Sequence, residues 1–115
     1  MPLTMYGIPN CDTIKKARKW LEAEGVAYAF HDYKKAGIDE ARLTRWIDEA
    51  GRDALLNTRG TTYRKLSDAD KANLGDATAA RLMAAHPSMI KRPVIEGAGE
   101  LIVGFDEALY SRRFG

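Results

Sequence analysis

The sequence predicts an α/β fold with a mixed sheet, built from a β-α-β half at the start and a β-β-α half at the end, with an all-helical stretch between them. Three observations carry this. Short apolar runs at 3–6 and 26–31 flank a segment whose apolar residues Ile14, Ala17 and Leu21 keep helical spacing. Two further apolar runs, 94–95 and 101–103, flank the glycine-containing loop 96–100, a hairpin signature. From about 37 to 76 the pattern is helical and is broken by Gly51 and Gly75.

The first strand, 3–6, leads into a turn supplied by Gly7, Pro9 and Asn10. A helix over 12–24 follows, and Gly25 stops it because glycine accepts a positive φ without penalty. Its outer face carries Lys15, Lys19 and Glu22, and Trp20 lies beside Ala17 at the edge of the core. The strand 26–31 sets Val26, Tyr28 and Phe30 on one face and Ala27, Ala29 and His31 on the other, whose small residues would let a helix pack closely. Strand, helix, strand in this order implies a parallel pair with a right-handed crossover.

Residues 32–37 read as a polar loop. Asp39 is a good N-cap for a helix over 40–50, with Leu43, Trp46, Ile47 and Ala50 as its apolar stripe and Gly51 as its stop. A short helical piece at 53–56 precedes a loop, 57–62, that holds several hydrogen-bonding groups and one cation, Arg59. Ser67 can cap another short helix through 74, and Asp76 a helix through 86, with Ala79, Leu82, Met83 and His86 near one face and Pro87 preventing continuation. After the hairpin, Gly104 ends the last strand and Asp106 caps a terminal helix over 107–113, with Ala108 and Leu109 inward. Two strands around a helix, followed by a hairpin and a helix, is the thioredoxin-like arrangement. Residues 1–36 and 76–115 form that core, and 37–75 the helical insertion, within one domain spanning 1–115.

Composition narrows the function classes. At 115 residues the chain has one domain's length and can bury a real core. Its 45% hydrophobic and 30% charged content is that of a soluble globular protein. A net charge of +2, with no basic run longer than two residues, gives no footprint for nucleic acid. No apolar run approaches membrane-spanning length and the start has no signal-peptide pattern, so a cytoplasmic protein is expected; the chain is expected to act as a monomer. The single cysteine cannot form an internal disulfide, which fits a reducing compartment. With one cysteine and two separated histidines, His31 and His86, no metal-ligand spacing is present and no metal is expected.

That cysteine, Cys11, is the candidate for chemistry. A lone cysteine in a small domain is often an inert buried hydrophobe. Here it sits where a strand hands over to a helix, among the polar neighbours Asn10, Asp12 and Thr13. Unsatisfied backbone N–H groups and the helix dipole favour negative charge at that point, and Lys15 and Lys16 one turn on add positive potential. A thiol so placed should carry more thiolate at neutral pH than a free cysteine. Taken on the residues alone, Arg92 reads equally as a solvated surface cation or an anion-binding group, and Pro93 equally as a trans edge-strand proline or a cis proline.

Four stretches carry a family likeness: Tyr-Gly-Ile-Pro-Asn-Cys-Asp-Thr at 6–13 with Lys-Lys-Ala at 15–17, Leu-Leu-Asn-Thr-Arg-Gly-Thr-Thr at 55–62 with Arg-Lys-Leu at 64–66, Ile-Lys-Arg-Pro-Val at 90–94, and Val-Gly-Phe at 103–105. With them the chain resembles the arsenate-reductase-like (ArsC/Spx) family, and most closely its YffB branch. The resemblance implies a thioredoxin-like fold with a helical insertion. It also implies that Cys11 is the redox nucleophile, that Arg92 faces it, and that Pro93 is a cis proline. Arg92 then offers its donors to the thiolate and to an anionic group. Asn10, Lys15, Arg59 and Pro93 become candidates for holding substrate, with Arg59 available to clamp a second anion.

The chain also departs from the family's patterns. Enteric-type arsenate reductases hold the oxyanion with three arginines. Here Arg92 matches one, Arg59 lies in the loop of the second though a gapless match falls nearer Asn57, and the third position falls at Gly104 or a neighbour, where no arginine stands. This points away from arsenate as the natural substrate. Spx-type regulators carry Cys-x-x-Cys, whereas Ile14 follows Cys11 at that spacing, so an internal disulfide switch is excluded.

These readings converge on a thiol-dependent reductase of small-molecule or protein substrates. With no second cysteine, an external thiol must resolve the Cys11 adduct, and glutathione or glutaredoxin is the expected partner and co-substrate. The alternative is a non-enzymatic adaptor that binds a protein such as RNA polymerase, as Spx-type regulators do. A remnant domain with only a structural role is a third reading, and it requires a sluggish Cys11.

Overall fold

The structure is a computed structural model and describes residues 3–72, 74–97 and 99–114. Among them four strands, β1 (Leu3–Gly7), β2 (Tyr28–Asp32), β3 (Val94–Glu96) and β4 (Ile102–Val103), form one sheet in the order β2-β1-β3-β4. The helices are α1 (Asp12–Ala23), α2 (Tyr33–Ala36), α3 (Glu40–Ala50), α4 (Arg52–Leu55), α5 (Thr61–Arg64), α6 (Asp68–Ala72), α7 (Asp76–Ala85) and α8 (Glu107–Phe114), with a 3-10 turn at Pro87–Met89. None is long and apolar enough to cross a membrane. The chain divides into two compact units: residues 1–36 with 92–115, and residues 37–91.

The first unit is the mixed sheet with α1, α2 and α8. β1 pairs with β2 in parallel and with β3 antiparallel, so the sequence-based expectation of a β-α-β unit and a hairpin holds. As an inner strand, β1 is buried at Leu3, Met5, Tyr6 and Gly7. The core gathers Leu3 and Met5 of β1, Ile14, Ala17 and Leu21 of α1, Ile95, Ile102 and Tyr110. The three α1 residues are those whose spacing predicted the helix. Trp20 lies at the edge of this core, edge-on to Tyr110 with ring centroids 5.6 Å apart.

Several local expectations are corrected. β2 begins at Tyr28 rather than 26, and Ala27 and Ala29 are exposed, so among the described residues no helix covers these two alanines. Residues 33–36, read as loop, form the turn α2, whose first residue, Tyr33, is fully buried. In α8 the inward residue is Tyr110, not Ala108, which is exposed. The Tyr110 ring fills the space between Phe105 and Phe114, and its hydroxyl donates to the Gly104 carbonyl at 2.8 Å. Asp106 caps as expected, accepting from the N–H of Ala108 at 3.0 Å.

The second unit is helical. α3 turns Leu43, Trp46 and Ile47 inward, Asp39 caps it by accepting from the Arg42 N–H at 2.7 Å, and Gly51 ends it at φ 92°. Ser67 accepts from the Asp70 N–H and opens α6 as expected, while α5 begins inside the segment read as a 57–62 loop. α7 packs on α3 through Ala79, Ala80, Leu82 and Met83, so it groups with these helices and the division falls after Lys91 rather than at Asp76. Asp76 is not the α7 cap: Gly75 holds that position, and the Asp76 carboxylate instead accepts from Arg52 at 2.8 Å. His86 is exposed just past the last turn of α7 rather than on its packed face.

Candidate active site

The sheet register decides which segments meet. β1 and β2 run parallel with Gly7 opposite Asp32, and β3 runs against β1 with Val94 opposite Tyr6. The turn after β1, the first residue after β2 and the residues just before β3 therefore emerge at one end of the sheet. Those positions carry Cys11, Tyr33 and the Arg92–Pro93 pair. The carboxyl end of parallel strands is where open α/β sheets generally bind ligands.

Cys11 occupies the N-cap position of α1, with extended backbone (φ −108°, ψ 130°). Its carbonyl accepts the Lys15 N–H at 2.9 Å and closes the first helical turn. The thiol is partly exposed. Two fixed features hold it there. Ile14, fully buried, anchors the first turn of α1 in the core. Gly7 lets β1 approach that anchor, because a Cβ on Gly7 would run into the Ile14 side chain.

The Arg92 Nε–H donates to the Cys11 Sγ at 3.4 Å. Partial burial by itself raises the thiol's pKa. The Arg92 hydrogen bond, the backbone N–H groups of Ile14 and Thr13, and the Arg92 charge outweigh it, so the thiol lies below its ordinary value. The Cys11 side chain makes no full cap hydrogen bond to those N–H groups, yet their orientation at the helix start still favours negative charge. For Arg92, burial disfavours the cation, but its interactions with Cys11 and Tyr33 more than compensate and it stays charged.

Tyr33 is the residue that the sequence reading missed. It is fully buried, hydrogen-bonds Arg92, and burial pushes its pKa up to about 12, so its hydroxyl stays neutral. Between Asp32 and Lys34-Lys35 it looked like part of a solvated loop. The usable signal was its position, one residue beyond the carboxyl end of a strand parallel to the one that leads to Cys11.

The other candidates are placed as follows. The Arg92–Pro93 peptide is cis and Pro93 is buried, its carbonyl accepting the Gly104 N–H at 2.7 Å. Asn10 is exposed and, with Ile8, Pro9, Asp32, Lys34 and Lys35, lines an open groove next to the Cys11 turn. Lys15 is exposed on α1. Arg59 belongs to the second unit, where it is exposed and its N–H donates to the Asn57 side chain. Gly104 sits at φ 87°, a conformation that an arginine rarely adopts, so the missing third arginine has a backbone reason if its place is here.

The ArsC family model matches residues 6–112. The chain belongs to the ArsC family. Its fold is correspondingly that of this family's solved structures, the thioredoxin-like α/β arrangement. A solved structure of a protein named YFFB superposes with a TM-score of 0.94 at 52% identity, covering 98% of this chain and 99% of that one. An arsenate reductase (ArsC) related protein from Brucella melitensis is also 52% identical, with a TM-score of 0.77 over 99% and 95% of the two chains. The global transcriptional regulator Spx of Bacillus subtilis is 31% identical across 91% of this chain and 81% of its own length.

Proposed function

We propose that this ArsC-family chain is a thiol-dependent reductase that uses Cys11 as its single nucleophile and an external thiol, glutathione or a glutaredoxin, to complete the cycle. The contact between the Arg92 guanidinium and the Cys11 sulfur carries this reading, because it favours a thiolate on a partly exposed thiol. The Cys11 thiolate attacks one sulfur of a disulfide substrate. The S–S bond breaks, the departing thiolate takes a proton from solvent, and Cys11 is left in a mixed disulfide. An external thiolate then attacks that mixed disulfide and releases Cys11 as thiolate. The retained substrate half leaves as a disulfide with that external thiol, and a second external thiolate attacks this disulfide and frees the substrate half as thiol, so the two electrons come from two external thiols that end joined as a disulfide.

Arg92 steadies the thiolate in the first step and again as leaving group in the second. Asn10 and Lys15, both exposed, are proposed to hold the incoming substrate, and the chain around Pro93 to receive an extended thiol compound. The test is incubation with oxidised glutathione followed by mass spectrometry. The expected result is one glutathione added to the wild type and none to Cys11→Ser; an unmodified wild type, or equal modification of both, overturns the reading.

A second reading rests on the likeness to the regulator Spx, which extends over 91% of this chain. In it the chain is a protein-binding adaptor of RNA polymerase. A stable complex with purified polymerase that Cys11→Ser leaves intact would favour the adaptor, whereas no complex leaves the reductase.

A further inference from the structure

We infer that Tyr33 is the positioning residue that aims the Arg92 guanidinium at the Cys11 sulfur. This inference rests on the reductase reading for its purpose, though not for its geometry. Arginine has no acceptor, so in the Tyr33–Arg92 hydrogen bond the guanidinium donates and the phenol oxygen accepts. Arg92 thus spends one N–H on the buried phenol while its Nε–H reaches Sγ at 3.4 Å.

The two partners differ in freedom. Tyr33 is fully buried and begins α2, which packs on β1 and β2, so its ring has one place to be. Arg92 is a long side chain, half-buried, and the buried Pro93 and the strand β3 fix only its backbone end. Without a fixed acceptor the guanidinium would sample several directions, and the N–H···S contact would be made for only part of the time. A neutral hydroxyl suits this task, since a carboxylate in its place would compete with the thiolate for the cation. Asp32, the nearest acid in sequence, is diverted: its carboxylate accepts the backbone N–H of Lys34 at 3.0 Å.

Tyr33→Phe keeps the ring and removes the acceptor. The readout is the pH profile of Cys11 alkylation by iodoacetamide, which needs neither substrate nor glutathione. The expected result is a profile displaced to higher pH, with the rate at neutral pH reduced roughly three- to tenfold, the scale of a charge-assisted hydrogen bond weakened rather than removed. In an Arg92→Ala background the same change should have no further effect, as coupled residues require. A profile for Tyr33→Phe that matches wild type, or an equal displacement with and without Arg92, overturns the assignment. Should Tyr33→Phe fail to fold, NMR of the unaltered protein decides. A slowly exchanging guanidinium N–H of Arg92, distinct from its Nε–H and giving a nuclear Overhauser contact to the Tyr33 ring, is expected, and the absence of that contact overturns it. Glutathione adduct formation is separate: its absence would end the reductase reading while leaving the Tyr33 coupling in place, and the reverse also holds.

Discussion

Arg92 and Cys11 lie 81 positions apart in the chain, and the guanidinium Nε of the first is 3.4 Å from the sulfur of the second. That contact, and not the cysteine alone, gives the site its electrostatic character. It pairs a fixed positive charge with a thiol whose partial burial would otherwise oppose ionisation.

Removing the guanidinium should therefore reverse the balance. In Arg92→Ala the hydrogen bond and the charge are lost together, burial remains, and the Cys11 pKa rises. Iodoacetamide alkylation at pH 7 is expected to slow by about tenfold or more, given the usual worth of a hydrogen bond to a charged group. Arg92→Lys should restore only part of this, because an ammonium lacks the planar fork. An unchanged pH–rate profile in Arg92→Ala would show that the helix start alone sets the thiol.

The same shift makes stability depend on pH, and its sign is fixed. The folded thiol has a lower pKa than the unfolded one, near about 8.5. The unfolded chain therefore binds more protons over the interval between the two values, and folding gains stability as pH rises through it. Relative to Cys11→Ser, the wild type should have this increment in full above the unfolded pKa and lose it as pH falls through the folded one. Urea melts of both proteins across pH 5 to 9 measure it; parallel curves would contradict the depressed thiol.

Gly7→Ala tests the approach of β1 to α1. The added methyl meets the Ile14 side chain, which is fully buried and must shift within the core to admit it. A loss of about 1–3 kcal/mol is expected, the range for overpacking a filled core. Chemical denaturation reads it directly. Because Ile14 anchors the helix turn that bears Cys11, the alkylation rate should change as well.

Two aspartates that the sequence treats alike should behave differently. Asp39 accepts the Arg42 N–H at the start of α3, so Asp39→Ala should cost about 1 kcal/mol. Asp76 caps nothing and pairs with Arg52 at the surface, so Asp76→Ala should stay within about 0.5 kcal/mol. Equal losses in thermal melts would contradict the assignment of the caps.

Local pattern was enough for much of the chain. The helical spacing of Ile14, Ala17 and Leu21, the stop at Gly25, the Asp39 and Asp106 caps and the glycine-bearing hairpin each depend on residues within a few positions of one another. Such signals survive in one dimension because a helix or a turn is closed by short-range hydrogen bonds and a fixed periodicity. The position of Cys11 at a strand-to-helix junction was legible for the same reason.

What the sequence could not decide was anything set by partners distant along the chain. Asp76 looked like a cap, but Arg52, brought to it by packing of the helices, takes its carboxylate. Ala108 and Leu109 looked like the inner face of α8; Leu109 does pack against the core, but Ala108 is exposed, and Tyr110 both fills the aromatic cluster and satisfies the Gly104 carbonyl. Tyr33 looked solvated because its neighbours are charged, and only the strand register of β1, β2 and β3 places it with Arg92 and Cys11. The sequence by itself determined the order of the main strands and helices and the candidate nucleophilic atom. The tertiary structure alone decided which charge stands beside that atom and what steadies it, because a charge acts through distance in space and the chain orders its residues only along its length.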